Sequence, residues 1–491
     1  MFTGPSFRDV SSHDEWKAEV SKFDLKTRKT DTVAAGISGW ALSANGEKLL
    51  IAKDHRWIIQ DADKMAEPGK GVLQTENLEV YVDPHADWPQ MYHEVWRIER
   101  DFFYDPGYHG LDIAAAEKLY EPYVAGIASR EDLNTLFREM TGWMVVGHMF
   151  IWGGDHGDGP HVTVGLLGAD YAVDNGHYRI AHIYKGENWN PELEAPLTRP
   201  GVKVKEGDYL FSVNGRSLTG TDEVFSLFQE TAGKQTVIRV GSKPDGSDAH
   251  DETVVPIDSE RNLRYRSWIE GNRKKVEELS NGRLGYVHIP DTGGEGFTNF
   301  NRYYFADVDK QGAILDERFN HGGAIADYMV DGLNKPIRML VARREGHDLT
   351  EPDEAIQGPK VMLINENSGS GGDALPWMFR INKAGILVGK RTWGGLVGIG
   401  GYPLLIDGGF VTAPRAAIYG THGEWEVENH GVAPDIEVDM DPKLVREGHD
   451  PQLEKAVEVA LAELAKNPPA KYPRPPYPNY HQKLPVDSPD R

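Results

Sequence analysis

The sequence predicts a multidomain protein combining β and α/β architecture, and three observations lead there. At 491 residues the chain exceeds what one hydrophobic core serves. Short apolar runs separated by turn residues occupy the N-terminal stretch and 161–258, whereas 88–147 carries the apolar period of helices. From about residue 259 apolar strands alternate with helices, the signature of a layered α/β unit.

Composition excludes several classes of function. Seventy-six Asp and Glu against 53 Lys and Arg give a net charge of −23, which opposes binding to nucleic acid or to an anionic membrane surface. With no cysteine there is no disulfide, thiolate metal site or cysteine nucleophile, leaving serine or histidine/carboxylate chemistry. No run reaches the length of a membrane helix, and Met1 to Asp14 has neither a basic nor an apolar leader region. The expectation is a soluble, cytoplasmic chain, with a periplasmic location as the alternative if a signal segment is missing from it.

Along the chain, 1–75 holds Ile37 to Ser43, the turn Asn45-Gly46, Lys48 to Ala52 and Arg56 to Gln60, which read either as part of a β-propeller blade or as a small antiparallel sheet. Residues 76–160 form a helical subdomain: Met91, Val95, Ile98 and Phe102 line one helix, and Leu133, Leu136, Phe137 and Met140 another, with Ser129 and Asp132 as its capping pair. Met144 to Trp152 is strand-like, interrupted by His148, and a glycine-rich loop follows. Residues 161–258 carry strand patterns at Val162 to Leu167, Tyr178 to Ile183, Tyr209 to Val213 and Thr236 to Val240. Gly165-Leu166-Leu167-Gly168 and Gly207 to Gly215 resemble the carboxylate-binding loop and the following strand of PDZ domains, which add a peptide as an extra strand and hold its carboxylate on backbone N–H groups. In 259–470, a charged helix (Asn262 to Leu279) precedes strands at Leu284 to Ile289, Gly312 to Leu315, Val361 to Ile364, Ile386 to Val388 and Gly409 to Thr412, and a helix over Pro451 to Leu464 closes the unit. A Pro-rich tail, 471–491, ends the chain.

Ser370 falls where the strand Val361 to Ile364 gives way to a helix, so it is either an N-capping serine or a nucleophile beside free helix N–H groups. Ser368 competes with it. The N–H of Gly371 would face the same oxygen, and Asn320-His321-Gly322-Gly323 offers a second glycine turn able to approach a ligand. Candidate bases are His148, His109, His156, His321 and His430; candidate orienting acids are Glu428, Glu426 and Asp435. Asp155, His156 and Asp158 have metal-like composition without helical two-His spacing, and a polar glycine-rich loop explains them better, so no metal is expected.

The stretches Asn365 to Phe379, Gly389 to Gly398 and Val427 to Asp435 resemble the catalytic domain of tricorn protease homologues, relatives of the C-terminal processing (tail-specific) serine peptidases. The resemblance spans roughly 35 to 465 in family order. It implies a crotonase-like (ClpP-like) α/β catalytic domain with a PDZ domain, a helical subdomain and a β-propeller remnant. It also implies peptide substrates, no cofactor and a homo-oligomer. Matched position by position, it makes Ser370 the nucleophile, His148 the general base, Glu428 the tetrad glutamate, Gly371 one oxyanion donor and Gly322 or Gly323 the other. Two positions depart from the pattern. Gly147 stands where a relay serine precedes the histidine, and Gly371 stands where the family has an aspartate after the nucleophile.

Overall fold

The computed structural model describes residues 18–481, apart from 66, 68, 158, 188, 191, 192 and 354. A hairpin of β1 (Ala18–Asp24) and β2 (Lys29–Ile37) packs on a three-stranded antiparallel sheet of β3 (Gly39–Leu42), β4 (Lys48–Lys53) and β5 (Arg56–Asp61). Val33, Ala34, Ile37, Leu49 and Ile51 are buried between them. The turn at Gly46 is left-handed (φ 74°), which glycine adopts at little cost.

The helical unit comprises α1 (Pro84–Phe102), α2 (Ile113–Val124) and α3 (Arg130–Thr141). Each starts on a side chain that satisfies an otherwise orphaned N–H: Asp83 accepts from His85, Asp112 from Ala115 and Ser129 from Asp132. Trp88, Met91, Tyr92, Val95, Ile98, Leu133, Phe137 and Met140 form their common core. The expected strand over Met144 to Trp152 is mostly absent. Val145 and His148 take left-handed backbone angles (φ 52° and 59°), leaving only β6 (Ile151–Trp152) extended.

An antiparallel sheet follows, in the order β12-β11-β9-β8-β7 with β10 beside β9: β7 (Ala169–Asp174), β8 (His177–Ile183), β9 (Tyr209–Val213), β10 (Arg216–Ser217), β11 (Thr236–Gly241) and β12 (His250–Val254). Val162 to Leu167 is not a strand of this sheet; Val164 and Leu166 make only single bridges, to Gln229 and Ile257.

After α4 (Arg261–Ser280), a fully parallel sheet is built from β13 (Leu284–His288), β14 (Gly312–Asp316), β17 (Lys360–Ile364), β18 (Ile386–Gly389) and β20 (Ile436–Glu437), in that order. Between these strands lie α5 (Gly294–Asn299), α6 (Ala326–Leu333), the hairpin β15 (Met339–Val341)–β16 (Leu349–Glu351) and α7 (Gly371–Ile381). One face of the sheet packs on α6 and α7 through Val287, Leu315, Met329, Met362, Leu375 and Phe379. The other packs on α4 and, beyond α8 (Pro442–Arg446), on α9 (Pro451–Lys466) through Val276, Leu453, Val457 and Ala460. Continuous apolar strands fit a sheet buried on both faces. The predicted strand Gly409 to Thr412 lies elsewhere: β19 (Phe410–Val411) pairs with β6 and joins the helical unit. Among the described residues no helix is long and apolar enough to cross a membrane.

Candidate active site

Ser370 occupies the N-cap of α7 with φ 60° and ψ −116°. A non-glycine residue there carries backbone strain of about 1–3 kcal/mol, which a plain capping serine has no reason to bear. The corner is held from both sides. The Ser370 N–H donates to the Gly395 carbonyl and to Asp373 Oδ2, both at 3.0 Å, and its carbonyl accepts from Asp373 and Ala374. Ser368 is fully buried, with its hydroxyl committed to the Glu317 carbonyl at 3.0 Å.

The loop after β14 faces this corner. A Cβ on Gly322 would lie 2.6 Å from Ser370 Cβ and 3.0 Å from its Oγ, so only glycine lets the loop come this close. The Gly322 N–H is consumed by Asn320 Oδ1 at 2.8 Å. The N–H groups of Gly323 and Gly371 have no hydrogen-bond partner among the described residues, and a Cβ on Gly371 would stand 2.7 Å from Gly323 N. Both unpaired donors therefore lie at Gly371, the residue that follows the serine.

His148 is buried (6 % exposed), and its ring sits 5.2 Å from the Trp393 ring and 5.5 Å from Phe150. Its Nδ1 is buried without a partner among the described residues. Burial pulls the imidazole below its usual range, partly opposed by the charge of Glu428. The Glu428 carboxylate does not bond the ring. Its Oε1 accepts from the Gly147 N–H at 2.6 Å, and its Oε2 from Leu396 and Val397 at 2.5 and 3.0 Å. A Cβ on Gly147 would be 2.9 Å from Gly395 Cα and 3.3 Å from Glu428 Oε1. The serine corner, the histidine loop and the glutamate thus meet on one short segment, Trp393 to Val397.

Comparison with known proteins gives this arrangement its context. Three family profiles match in order: the tricorn protease C1 domain over 84–142, the tricorn protease PDZ domain over 165–259 and peptidase family S41 over 283–438. The chain is 34% identical over 92% of its length to a tricorn-like protease C-terminal subunit of Sulfurisphaera tokodaii and 32% identical over 91% to tricorn protease of Thermoplasma acidophilum. It superposes on the crystal structure of the tricorn protease with a TM-score of 0.82 and 30% identity over 92% of its length. The chain is a tricorn protease homologue. It spans 53% and 42% of those two relatives and 44% of the solved chain.

In this homologue Asp373 has no counterpart in the sequence-based assignment, although it ties the site together. Fully buried, it accepts from Ser370 N–H, Gly395 N–H (3.1 Å), Gly394 N–H (2.8 Å) and Thr392 Oγ1. Burial nonetheless raises its pKa. Its position three residues into a helix was the available signal, since an acid there caps the backbone N–H of the residue at the corner. Glu317, beneath the same loop, is also fully buried, and desolvation pushes its carboxyl well up.

The rival residues are engaged elsewhere. His109 Nε2 pairs with Tyr104 Oη (2.6 Å), His156 Nε2 with the Gly153 carbonyl (2.9 Å) and His430 Nδ1 with the Glu428 carbonyl (2.8 Å), while His321 is exposed. Glu426 accepts from Trp377 Nε1, and Asp435 pairs with Arg380. Asp158 lies outside the described residues; among those described, no group of three potential ligands could hold a metal ion.

The loop Gly165, Leu166, Leu167 and Gly168, expected to hold a peptide carboxylate, spends several of its N–H groups inside the chain. Gly165 N–H donates to the Phe228 carbonyl (2.8 Å) and Leu166 N–H to the Ile257 carbonyl (2.7 Å). Gly168 and Ala169 donate to Glu260 Oε1 at 2.7 and 3.3 Å. The carboxylate on Gly168 and Ala169 is the chain's own, fixed in turn by Arg264 at 2.6 Å.

Proposed function

We propose that the protein is a serine peptidase acting on peptides or oligopeptides. Ser370 attacks the scissile carbonyl, His148 takes its proton and returns it to the leaving amine, and the N–H groups of Gly371 and Gly323 receive the developing oxyanion. Glu428 acts on the base through the backbone: by gripping the Gly147 N–H it fixes the Val146–Gly147 peptide unit, one step before His148. The observation carrying this reading is the meeting of the strained serine and a buried imidazole on Trp393 to Val397, with the unpaired N–H groups of Gly371 and Gly323 next to each other at the residue that follows the serine. Membership of a peptidase lineage supports it. We further assign the α/β unit a crotonase-like build and the N-terminal sheets a propeller origin, by the same kinship.

The decisive experiment measures peptide hydrolysis and fluorophosphonate labelling in wild type, Ser370→Ala and His148→Ala. Hydrolysis should fall by at least about a thousandfold in either variant, with labelling lost in the first. Undiminished cleavage by Ser370→Ala would sink the assignment. A catalytically impaired scaffold that only binds peptides, the alternative reading, would instead show peptide binding without labelling of Ser370.

A further inference from the structure

The paired strands β6 and β19 turn Ile151 and Val411 into the helical core and so turn Trp152 and Phe410 away from it. Phe150, Trp152 and Trp393 are 38%, 49% and 47% exposed. Their rings touch in series: Trp393 against His148, His148 against Phe150, Phe150 against Trp152 at 6.0 Å, and Trp152 against Phe410 at 4.6 Å. Phe150 and Trp393 lie nearly parallel, 17° apart. Gly147 to Trp152 contains no charged side chain, in a chain of net charge −23.

We propose that this aromatic row is a substrate subsite that takes an aromatic or large apolar side chain next to the bond being cleaved. It rests on the peptidase reading above. The row begins at the imidazole that must reach the leaving amine, so peptide residues beside the scissile bond pass over it. Its platform is stiff. The buried pair Arg130–Asp407 anchors the loop, Asp407 also accepts from the Asp155 N–H at 3.0 Å, and Thr412 Oγ1 donates to the His148 carbonyl. Ring stacking and apolar burial, without charge, then select the side chain.

The test uses quenched fluorescent peptides that differ at one residue, on either side of the cleaved bond, as Phe, Leu, Gly or Asp. Wild type should prefer Phe over Gly at one such position by about tenfold or more in kcat/KM. Phe150→Ala and Trp152→Ala should each bring that ratio toward one; because both peptides are read on the same variant, general damage cancels. A wild-type ratio near one at every position, or a ratio kept in both variants, overturns the proposal. If Ser370 is labelled by fluorophosphonate while no preference exists, the peptidase reading stands and this one falls. If there is neither labelling nor cleavage, both fall. Variants that change subunit number in sedimentation while keeping the ratio would assign the row to a subunit contact and overturn it as well.

Discussion

At the scale of single residues, the nucleophile corner trades stability for position. Ser370 sits at backbone angles suited to glycine, so Ser370→Gly should raise the thermal midpoint, by the equivalent of about 1 kcal/mol, while abolishing hydrolysis. Differential scanning calorimetry beside a peptide assay checks both halves. The histidine makes a pH prediction. Burial lowers the His148 pKa more than Glu428 raises it, so the acid limb of kcat/KM should lie below the ordinary imidazole value of 6.5. Glu428→Gln should move the limb lower still while reducing the rate. Linkage has a matching sign: above 6.5 neither folded nor unfolded chain holds this proton, and as pH falls below it only the unfolded chain takes the proton readily. His148 therefore removes stability on acidification, which urea titrations at stepped pH would register. Neither His148 nor Glu428 stood out from its rivals by residue type or spacing; only kinship selected them, because their relevance comes from contacts across a separation of 281 residues.

Among the elements, what could be read locally was read from local signals. β8, β9, β11, β13, β14 and β18 announce themselves by short apolar runs between turns, and α3 by its Ser129 cap. The failures have physical reasons. Apolar content suggested a strand over Met144 to Trp152, but two left-handed residues break it to aim His148. β7 and β12 are the outermost strands of their sheet and too polar to show a buried pattern. The carboxylate on Gly168 was illegible because it belongs to Glu260, 92 residues away. The join between α7 and the loop before Leu396 depends on Asp373. Asp373→Asn replaces one of two accepting oxygens with a donor facing backbone donors, and should cost about 2–4 kcal/mol. A lowered denaturant midpoint with reduced kcat would show it; unchanged stability would mean that the four donors are satisfied otherwise.

For the whole molecule, Glu260 at the N-cap of α4 and Arg264 in its first turns bind the antiparallel sheet unit to the parallel-sheet unit, reinforced by Arg264 to Asp170 at 2.7 Å. Glu260→Ala should therefore separate unfolding into two calorimetric transitions and expose the 257–261 stretch to limited proteolysis; a single unshifted transition would show that the carboxylate is dispensable for coupling. The meeting of distant stretches at Gly395 also governs when the protein acquires its chemistry during synthesis. Of the three, the histidine loop is made first, the serine corner more than 200 residues later, and the Gly147 clamp last, since Glu428 lies 281 residues beyond it. A growing chain emerges at about 5–20 residues per second, so the histidine waits first for its serine and then for the carboxylate that clamps its loop. The architecture thus withholds the proposed chemistry until the stretch carrying Glu428 has been made, which spares the unfolded precursor and neighbouring nascent chains in the meantime.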